Sequence, residues 1–167
     1  MQLEEVNGVA PQIDPRFEDF IDVSSPPELI AEGFTWTEGP VWLDGQLFFN
    51  DIPNKKMLCW NEDTGLQVAL ENSEFANGNT LDLSGRMVSC EHGGRRVVRR
   101  NDPLDGTAIE VIADHFEGKR LNSPNDVVVR SDGSVWFTDP PYGINSDIEG
   151  YPAASEIGGH YVFCAMP

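Results

Sequence analysis

The chain of 167 residues is 40% hydrophobic and 10% aromatic, which is enough to build the core of one domain. Its 28 acidic and 11 basic residues give a formal net charge of −17, which repels phosphate backbones and anionic lipid heads. We therefore expect no nucleic-acid or membrane partner. With 16 glycines, 12 prolines and no sustained apolar repeat of helical period, the composition indicates a mainly β fold.

The amino-terminal segment, residues 1–28, is acidic and is interrupted by Pro11, Pro15, Pro26 and Pro27. Such a sequence is typical of an extended lead-in strapped to a domain. It has neither a basic start nor an apolar run, so we expect no secretory signal. The core is predicted to begin near Leu29, which gives one domain over residues 29–167.

One pattern then recurs three times: an apolar strand, a tight turn that ends in glycine, a second apolar strand and an acidic residue. The turn glycines are Gly45, Gly85 and Gly133, which lie 40 and 48 residues apart. Glycine adopts positive φ without steric cost, so these turns predict β-hairpins of the type I′ kind. The acidic residues that end the three hairpins are Asp51, Glu91 and Asp139.

Repeats of about 40 to 50 residues built from short strands are typical of β-propellers, whose blades are four-stranded sheets. Residues 56–60 and 95–99 supply the expected third strands, and residues 67–70 and 109–112 the fourth. A blade buries both faces against its neighbours, which fits the run Val127–Val129 that is apolar on both sides. The sequence therefore predicts an all-β fold holding roughly three blades of a propeller.

The last residues of the chain interrupt this pattern. Residues 159–163 are expected to open a further blade, and residues 164–167 have no strand pattern. Propellers close with four to eight blades, so a three-blade arc leaves faces and edges uncovered. Two explanations stay open: the chain is part of a longer product, or two half-propellers self-associate to close a ring.

Two further residue classes are informative. Arg95, Arg96, Arg99 and Arg100 form a basic cluster that we interpret as a solvated strand edge. The three cysteines (Cys59, Cys90 and Cys164) lack the spacing of a disulfide framework and predict reduced thiols. No apolar run reaches the roughly 20 residues that span a bilayer, so the protein is expected to be soluble and cytoplasmic.

Three polar segments break the apolar blade pattern: residues 37–40 with Glu38, residues 121–126 with Asn125, and residues 138–143 with Asp139. Carboxylate and amide oxygens are the hard ligands that Ca²⁺ prefers, and no Cys/His spacing suggests zinc. Each segment also fits ordinary turn chemistry beside proline. Asp51 and Glu91 fit structural roles, and His92 fits either a base or a hydrogen-bonded turn histidine.

Four segments in order resemble the SMP-30/gluconolactonase/luciferin-regenerating enzyme family, in its gluconolactonase-like branch. They are Glu38–Trp42, Cys90–Gly93, Arg120–Val127 and Trp136–Gly143, and the resemblance runs from about Leu29 to Phe163. It implies a six-bladed propeller with one divalent metal, usually Ca²⁺, on the central axis. It also implies hydrolysis of small lactones as the activity.

The resemblance assigns roles to three residues of this sequence. Glu38 corresponds to the family's first metal-binding glutamate, and Asn125 to an asparagine at the metal and the substrate. Arg120 corresponds to a substrate-side arginine. The family's general-base aspartate lies in later blades, so no catalytic residue is identified in this chain.

The expected function is therefore Ca²⁺-dependent hydrolysis of a small lactone, with the cation acting as a Lewis acid. Two alternatives remain, because one fold supports several reactions. The first is phosphotriester hydrolysis of the organophosphate type on the same propeller. The second is a non-catalytic blade module that binds a metal or a protein.

Overall fold

The computed structural model describes residue 16 and residues 28–167. It divides the chain into two units, residues 1–33 and residues 34–167. The predicted lead-in over residues 1–28 lies outside the described residues, apart from residues 16 and 28. All strands given below belong to the second unit.

Two four-stranded antiparallel sheets follow each other along the chain, each with its strands in sequence order. The first sheet consists of β1 (Thr37–Leu43), β2 (Gln46–Asp51), β3 (Lys56–Asn61) and β4 (Gly65–Leu70). The second consists of β5 (Ala76–Leu81), β6 (Met87–Glu91), β7 (Arg96–Arg100) and β8 (Ile109–Ala113). Both sheets contain the third and fourth strands that the repeat predicts.

A short hairpin and a third sheet complete the described part of the chain. The hairpin pairs β9 (His115–Phe116) with β10 (Lys119–Arg120), and a four-residue helix α1 (Tyr142–Asn145) lies between the last two strands. The third sheet is antiparallel and consists of β11 (Val127–Val129), β12 (Val135–Asp139) and β13 (Tyr161–Ala165).

Apolar side chains join the sheets in sequence order, as blades are joined in a propeller. One cluster, which includes Phe48, Met57 and Met87, lies between the first and second sheets. Another, which includes Val88, Val97 and Phe137, lies between the second and third. The inner strands β1, β5 and β11 are neighbours in that order. The prediction of an all-β partial propeller is therefore confirmed.

The prediction for the end of the chain was wrong. Residues 159–163 do not open a new blade, because β13 pairs with β12 over Val135↔Ala165 through Asp139↔Tyr161 and so is the third strand of the third sheet. Cys164 and Ala165 belong to this strand, although their sequence shows no strand pattern. Hydrogen bonding to β12 overrides the weak local propensity of this segment.

The turn type was predicted correctly only for the first hairpin. Asp44 and Gly45 both have positive φ, at 50° and 78°, as a type I′ turn requires. In the second hairpin only Gly85 has positive φ, and its N–H donates to the carbonyl of Asp82 at 3.0 Å. In the third hairpin Gly133 likewise has positive φ, and its N–H donates to the carbonyl of Arg130 at 2.8 Å. These two loops are longer, so β5 ends at Leu81 rather than at Leu83.

The arginine cluster is not a solvated edge. Arg95 and Arg100 are buried, with 7% and 2% exposure, and Arg96 and Arg99 are half-buried. Arg96 and Arg100 pair with Glu91, while Arg99 pairs with Asp82 and Glu110. Acidic residues on the two neighbouring strands and in the loop after β5 therefore compensate these charges, which strand spacing alone did not show.

The third sheet buries only one of its faces within the described residues. Val127 is 3% exposed and belongs to the core, whereas Val128 is 60% exposed. Trp136 and Val162 lie on the same side of the sheet as Val128 and are 41% and 65% exposed. The outward face of the third sheet is therefore one of the uncovered blade faces that the sequence predicts for a three-blade arc.

Candidate functional site

The inner strands of the three blades place Glu38, Asn77 and Asn125 at equivalent positions. Glu38 and Asn77 lie at the starts of β1 and β5, and each strand has a register irregularity there, after Glu38 in β1 and between Ala76 and Asn79 in β5. Asn125 precedes β11. Since β5 lies between β1 and β11, Asn77 lies between the blades that carry Glu38 and Asn125. The structure thus places the two predicted metal ligands on either side of β5.

Two glycines allow the inner strands to approach at this end. The backbone N–H of Gly78 donates to the carbonyl of Asn125 at 2.8 Å, and Asn79 Nδ2 donates to the carbonyl of Gly39 at 2.7 Å. A Cβ on Gly39, where φ is 59°, would lie 2.0 Å from the Asn77 carbonyl oxygen. Any side chain at this position would push the first two blades apart.

The amide side chains form a connected network. Asn77 Nδ2 donates to Asn125 Oδ1 at 2.8 Å, and Asn50 Nδ2 donates to the main-chain carbonyl of Asn77 at 2.7 Å. Asn50 is fully buried opposite Glu38 on β2, and its Oδ1 has no hydrogen-bond donor among the residues that the structure describes. A buried acceptor without a donor carries a desolvation cost that a cation could offset.

His92 joins this network from the loop after β6. Its side chain is fully buried, with Nε2 3.2 Å from Asn125 Oδ1 and 3.3 Å from Asn77 Nδ2. Its Nδ1 lies 3.0 Å from the carbonyl oxygen of Glu149. Burial lowers the pKa of His92, so the imidazole is held neutral. The alternative of a hydrogen-bonded loop histidine is the one that fits these contacts.

Glu38 differs from the amides because it is exposed. Its Oε2 accepts from the N–H of Gly39 at 3.3 Å. Its carboxylate therefore retains lone pairs for a further partner. Glu38 brings the negative charge of this group, whereas Asn50, Asn77 and Asn125 bring neutral dipoles.

Arg120 lies apart from the amide network. It is exposed on β10, where its Nη2 donates to the Gly94 carbonyl at 3.0 Å and its N–H donates to Glu156 Oε2 at 2.9 Å. Nearby, Arg95 lies 3.7 Å from Glu156 and donates through Nε to the carbonyl of Leu121 at 2.7 Å. These contacts do not join Arg120 to Asn125, so its predicted substrate role stays a prediction.

The acidic residues that end the second strands have structural partners. Asp51 accepts from the N–H groups of Thr35 and Trp36, and Asp139 accepts from those of Asn122 and Ser123. Burial raises the pKa of Asp139 although both N–H groups stabilise its charged form. Because its oxygens are turned toward the backbone, Asp139 serves as a loop anchor.

An open cleft borders the site on the side of the third blade. It has a volume of about 340 Å³, and its lining includes Asn125, Thr138, Tyr142, His160 and Tyr161. Its walls combine an amide, a hydroxyl and two phenol rings. Such a mixture offers hydrogen-bonding groups beside apolar ring surface to a small ligand.

The residues around the amide network offer a divalent cation several oxygen ligands, of which few are charged. Within residue 16 and residues 28–167, no group of three or more His, Cys, Asp or Glu side chains is arranged to hold a metal. The donors at hand are the Glu38 carboxylate and the amide oxygens of Asn50 and Asn125. Hard oxygen ligands fit Ca²⁺, which takes six to eight of them, so these residues could form only part of its coordination shell.

Asn77 and Asn50 were missed in the sequence. Asn77 is followed by glycine, as Glu38 is, and lies 48 residues before Asn125. That is the spacing of the turn glycines Gly85 and Gly133, so the blade period could have revealed it. Asn50 stands inside an apolar strand directly before Asp51, where it gives no signal distinct from the end of a strand.

The fold and site define a partial β-propeller with oxygen donors at the starts of its inner strands. The family model of the SMP-30/gluconolactonase/LRE-like region matches residues 36–163. The chain is 34% identical over 154 residues to a gluconolactonase of Zymomonas mobilis, covering 83% of this chain and 43% of that protein.

Two solved structures agree with this match. A gluconolactonase of Xanthomonas campestris is 39% identical with a TM-score of 0.73, covering 80% of this chain and 44% of that one. A protein provisionally described as a gluconolactonase is 41% identical with a TM-score of 0.84, covering 92% and 53%.

The chain therefore belongs to the SMP-30/gluconolactonase/LRE-like family, and the resemblance seen in its sequence is confirmed. It spans about half the length of the relatives that it matches. In the part of the chain that the structure describes, no helix has the length and hydrophobicity needed to cross a membrane.

Proposed function

We propose that this chain supplies the cation-binding and substrate-binding side of a hydrolase of small lactones. The observation that carries the proposal is the placement of Glu38, Asn77 and Asn125 at equivalent positions, at or directly before the starts of three adjacent inner strands, in a member of a family that includes gluconolactonases. The cleft beside Asn125 supports a small polar substrate.

Ca²⁺, or another divalent cation, would be held in part by Glu38, Asn50 and Asn125. When bound, such a cation polarises an ester carbonyl and stabilises the negative charge that develops on its oxygen. Glu38 contributes the ionised carboxylate, and the amides contribute oxygens held by buried hydrogen bonds. Arg120 would donate to polar groups of the substrate. The proposal assigns no general base to the described residues.

The three cysteines support a cytoplasmic location for this activity. Cys59 and Cys90 are buried free thiols, and Cys164 is an exposed free thiol. Exposed free thiols persist in reducing compartments.

Calorimetric titration of the 167-residue chain with Ca²⁺ tests the cation site. We expect weak binding, with a dissociation constant above the micromolar range, because few ligands are charged. Glu38→Gln should weaken it by about tenfold or more, since the carboxylate is the charged ligand. Glu62→Gln is the matched control, because Glu62 is an exposed residue in the turn at the far end of the same sheet.

Equal affinity in the wild type and Glu38→Gln would contradict the cation role of Glu38. A panel of lactones and a phosphotriester, each assayed with and without chelator, then tests the reaction. Turnover of lactones that chelator abolishes supports the proposal. Turnover of the phosphotriester alone would favour the organophosphate alternative. Because the described residues supply no general base, binding without any turnover would favour a non-catalytic module only in a protein that also carries the later blades of the family.

A further inference from the structure

One position of the repeat points toward the following sheet in each blade. It lies three residues before the acidic residue that ends the second strand, at Phe48, Val88 and Trp136. Phe48 is 1% exposed in the cluster between the first and second sheets, and Val88 is 0% exposed in the cluster between the second and third. Trp136 has no following sheet in the described part of the chain and is 41% exposed.

The residue before it points toward the preceding sheet. This position is occupied by Leu47, Met87 and Val135. Met87 is buried against the first sheet, and Val135 is buried against the second. Leu47 lies in the first sheet and is half-buried, and its cross-strand partner Trp42 is 58% exposed. The first sheet therefore leaves free the side that the other two sheets bury.

Two apolar faces thus remain free, one at each end of the arc. The leading face belongs to the third sheet and consists of Val128, Trp136 and Val162. The trailing face belongs to the first sheet, where one row of cross-strand partners runs over all four strands: Trp42, Leu47, Trp60 and Leu66. All seven side chains are uncharged.

The two free faces are the two halves of one kind of interface. Within the chain, the leading side of a sheet packs on the trailing side of the next sheet, first between sheets one and two and again between sheets two and three. The leading face repeats the positions that the first half of each contact uses, and the trailing face repeats those of the second half. A second copy of the chain therefore carries a counterpart for each free face.

We propose that two copies of this chain associate head to tail, with the leading face of each on the trailing face of the other. Each copy contributes three blades, and propellers close with four to eight. Two copies give six blades and close a ring, whereas three copies exceed that range. A closed ring leaves neither apolar face in water, which an open chain of copies cannot achieve.

The ring adds a second set of residues to the candidate site. Blades surround a central channel with their inner strands, so each copy contributes its own Glu38, Asn77 and Asn125 to the same axis. The role of these residues toward a cation rests on the proposed function. The association itself depends on apolar burial, so it is tested without Ca²⁺, and a failure to bind Ca²⁺ contradicts the proposed function alone.

Light scattering coupled to size exclusion measures the mass of the full chain. High salt screens the repulsion between two copies that each carry a charge of −17. We expect the mass of two chains, with no further growth up to high micromolar concentration. A mass that keeps growing would overturn the closed ring, and a monomer at every concentration would overturn the association.

Two charged variants distinguish the head-to-tail ring from a pairing of identical faces. Trp42→Lys alters the trailing face and Val128→Lys the leading face, and each charge enters both interfaces of the ring. We expect each variant, folded by circular dichroism, to raise the dimer dissociation constant by about a hundredfold or more. Leu104→Lys is the control, because Leu104 is 54% exposed in the loop between β7 and β8, and should change it by less than about threefold.

A dimer that Val128→Lys dissociates and Trp42→Lys does not would show that two leading faces pair with each other. That outcome would overturn the head-to-tail arrangement, as would dimers of wild-type affinity in both variants.

Cys164 reports on the leading face in the unaltered chain. It lies opposite Trp136 in the strand pair and is an exposed thiol, whereas Cys59 and Cys90 are buried. We expect its rate of alkylation to fall by about tenfold or more between the dilute monomer and the dimer, because a covered thiol is less accessible. An unchanged rate in the dimer would overturn the proposal, since the leading face would then still be in water.

Discussion

Glu91 shows how a single residue of the repeat takes a structural role. It is 1% exposed and lies between Arg96 and Arg100, whose nitrogens are each 2.5 Å from one of its oxygens. Burial raises the pKa of Glu91, and the charges of Arg100 and Arg96 act in the opposite direction. The three side chains thus form one buried, mutually dependent group on β6 and β7.

We expect Glu91→Gln to lower the free energy of unfolding by about 3 kcal/mol, because it leaves two guanidinium groups without their counter-ion. Urea unfolding monitored by tryptophan fluorescence measures this change. Glu110→Gln is the control, since Glu110 is an exposed partner of Arg99 and should cost less than about 1 kcal/mol. Similar losses in both variants would mean that the buried group contributes no more than a surface pair.

His92 leads to a prediction about pH. Burial holds its pKa in the folded chain below the unfolded value of about 6.5. Its contribution to stability is therefore complete above about pH 6.5 and is lost as pH falls toward the folded pKa, because the unfolded chain binds the proton first. His92→Gln removes this dependence.

Urea unfolding midpoints of the wild type and His92→Gln, measured between about pH 8 and about pH 5, test this pH dependence. The wild type should lose stability relative to His92→Gln as the pH falls, by up to about 1.4 kcal/mol per pH unit. Parallel curves for the two proteins would show that His92 is not buried in its neutral form.

At the scale of elements, the connection between β12 and β13 also packs against loops of the other two blades. Its residues contact loops of the first and second blades, through Tyr151 on Phe75 and through Glu149 on His92. Lys55 adds to the first of these contacts, with Nζ 4.6 Å from the centre of the Phe75 ring. This connection therefore couples the third blade to the loops that surround the amide network.

The inner strands depend on close backbone approach at Gly78. A Cβ there would lie 2.6 Å from Asp126 Oδ1 and 2.8 Å from the Asn125 carbonyl oxygen. We expect Gly78→Ala to lower the free energy of unfolding by about 2 kcal/mol, because backbone atoms of Asn125 and Asp126, directly before β11, would have to move.

Thermal unfolding followed by circular dichroism measures this loss. Gly106→Ala is the matched control. A Cβ at Gly106 would meet Leu70 Cδ2 at 3.4 Å, an ordinary contact, so the change should alter stability by less than about 0.5 kcal/mol. A stable Gly78→Ala variant would mean that the second and third blades can separate at this end at little cost.

The hairpins could be predicted from sequence because they are local: each depends on a turn glycine and two short apolar runs. The strand β13 could not, because the long connection from residue 140 to 160 separates it from β12, and its pairing is not encoded in its own residues. The prediction for the arginine cluster was wrong for a related reason, since Glu91, the counter-ion of Arg96 and Arg100, lies on the preceding strand.

The candidate site was predicted in part. Glu38 and Asn125 emerged because each breaks an apolar pattern beside proline. His92 was left with two roles, because its burial is determined by the distant Glu149 and Gly143. Hydrogen-bond networks that join several blades depend on the close packing of inner strands, which no single segment specifies.

At the scale of the whole molecule, charge and exposed apolar surface act in opposite directions. The net charge of −17 opposes association between copies. One face of the third sheet nevertheless exposes Val128, Trp136 and Val162, and apolar faces of this kind favour burial against another surface. The attraction between apolar faces acts only where the faces touch, and salt does not screen it. The repulsion between charges is weakened by salt.

We therefore expect the 167-residue chain to self-associate, and more strongly as ionic strength rises. Light scattering coupled to size exclusion, at low and at high salt, measures the mass in solution. Val162→Lys should shift the distribution toward monomer, because it places a charge within the exposed face, on the edge strand β13. Leu104→Lys introduces the same charge at a residue that is 54% exposed in a loop of the second blade, and should leave association unchanged. A monomer at high micromolar concentration in both salt conditions would contradict the prediction, and it would mean that the exposed face of the third sheet is tolerated in water.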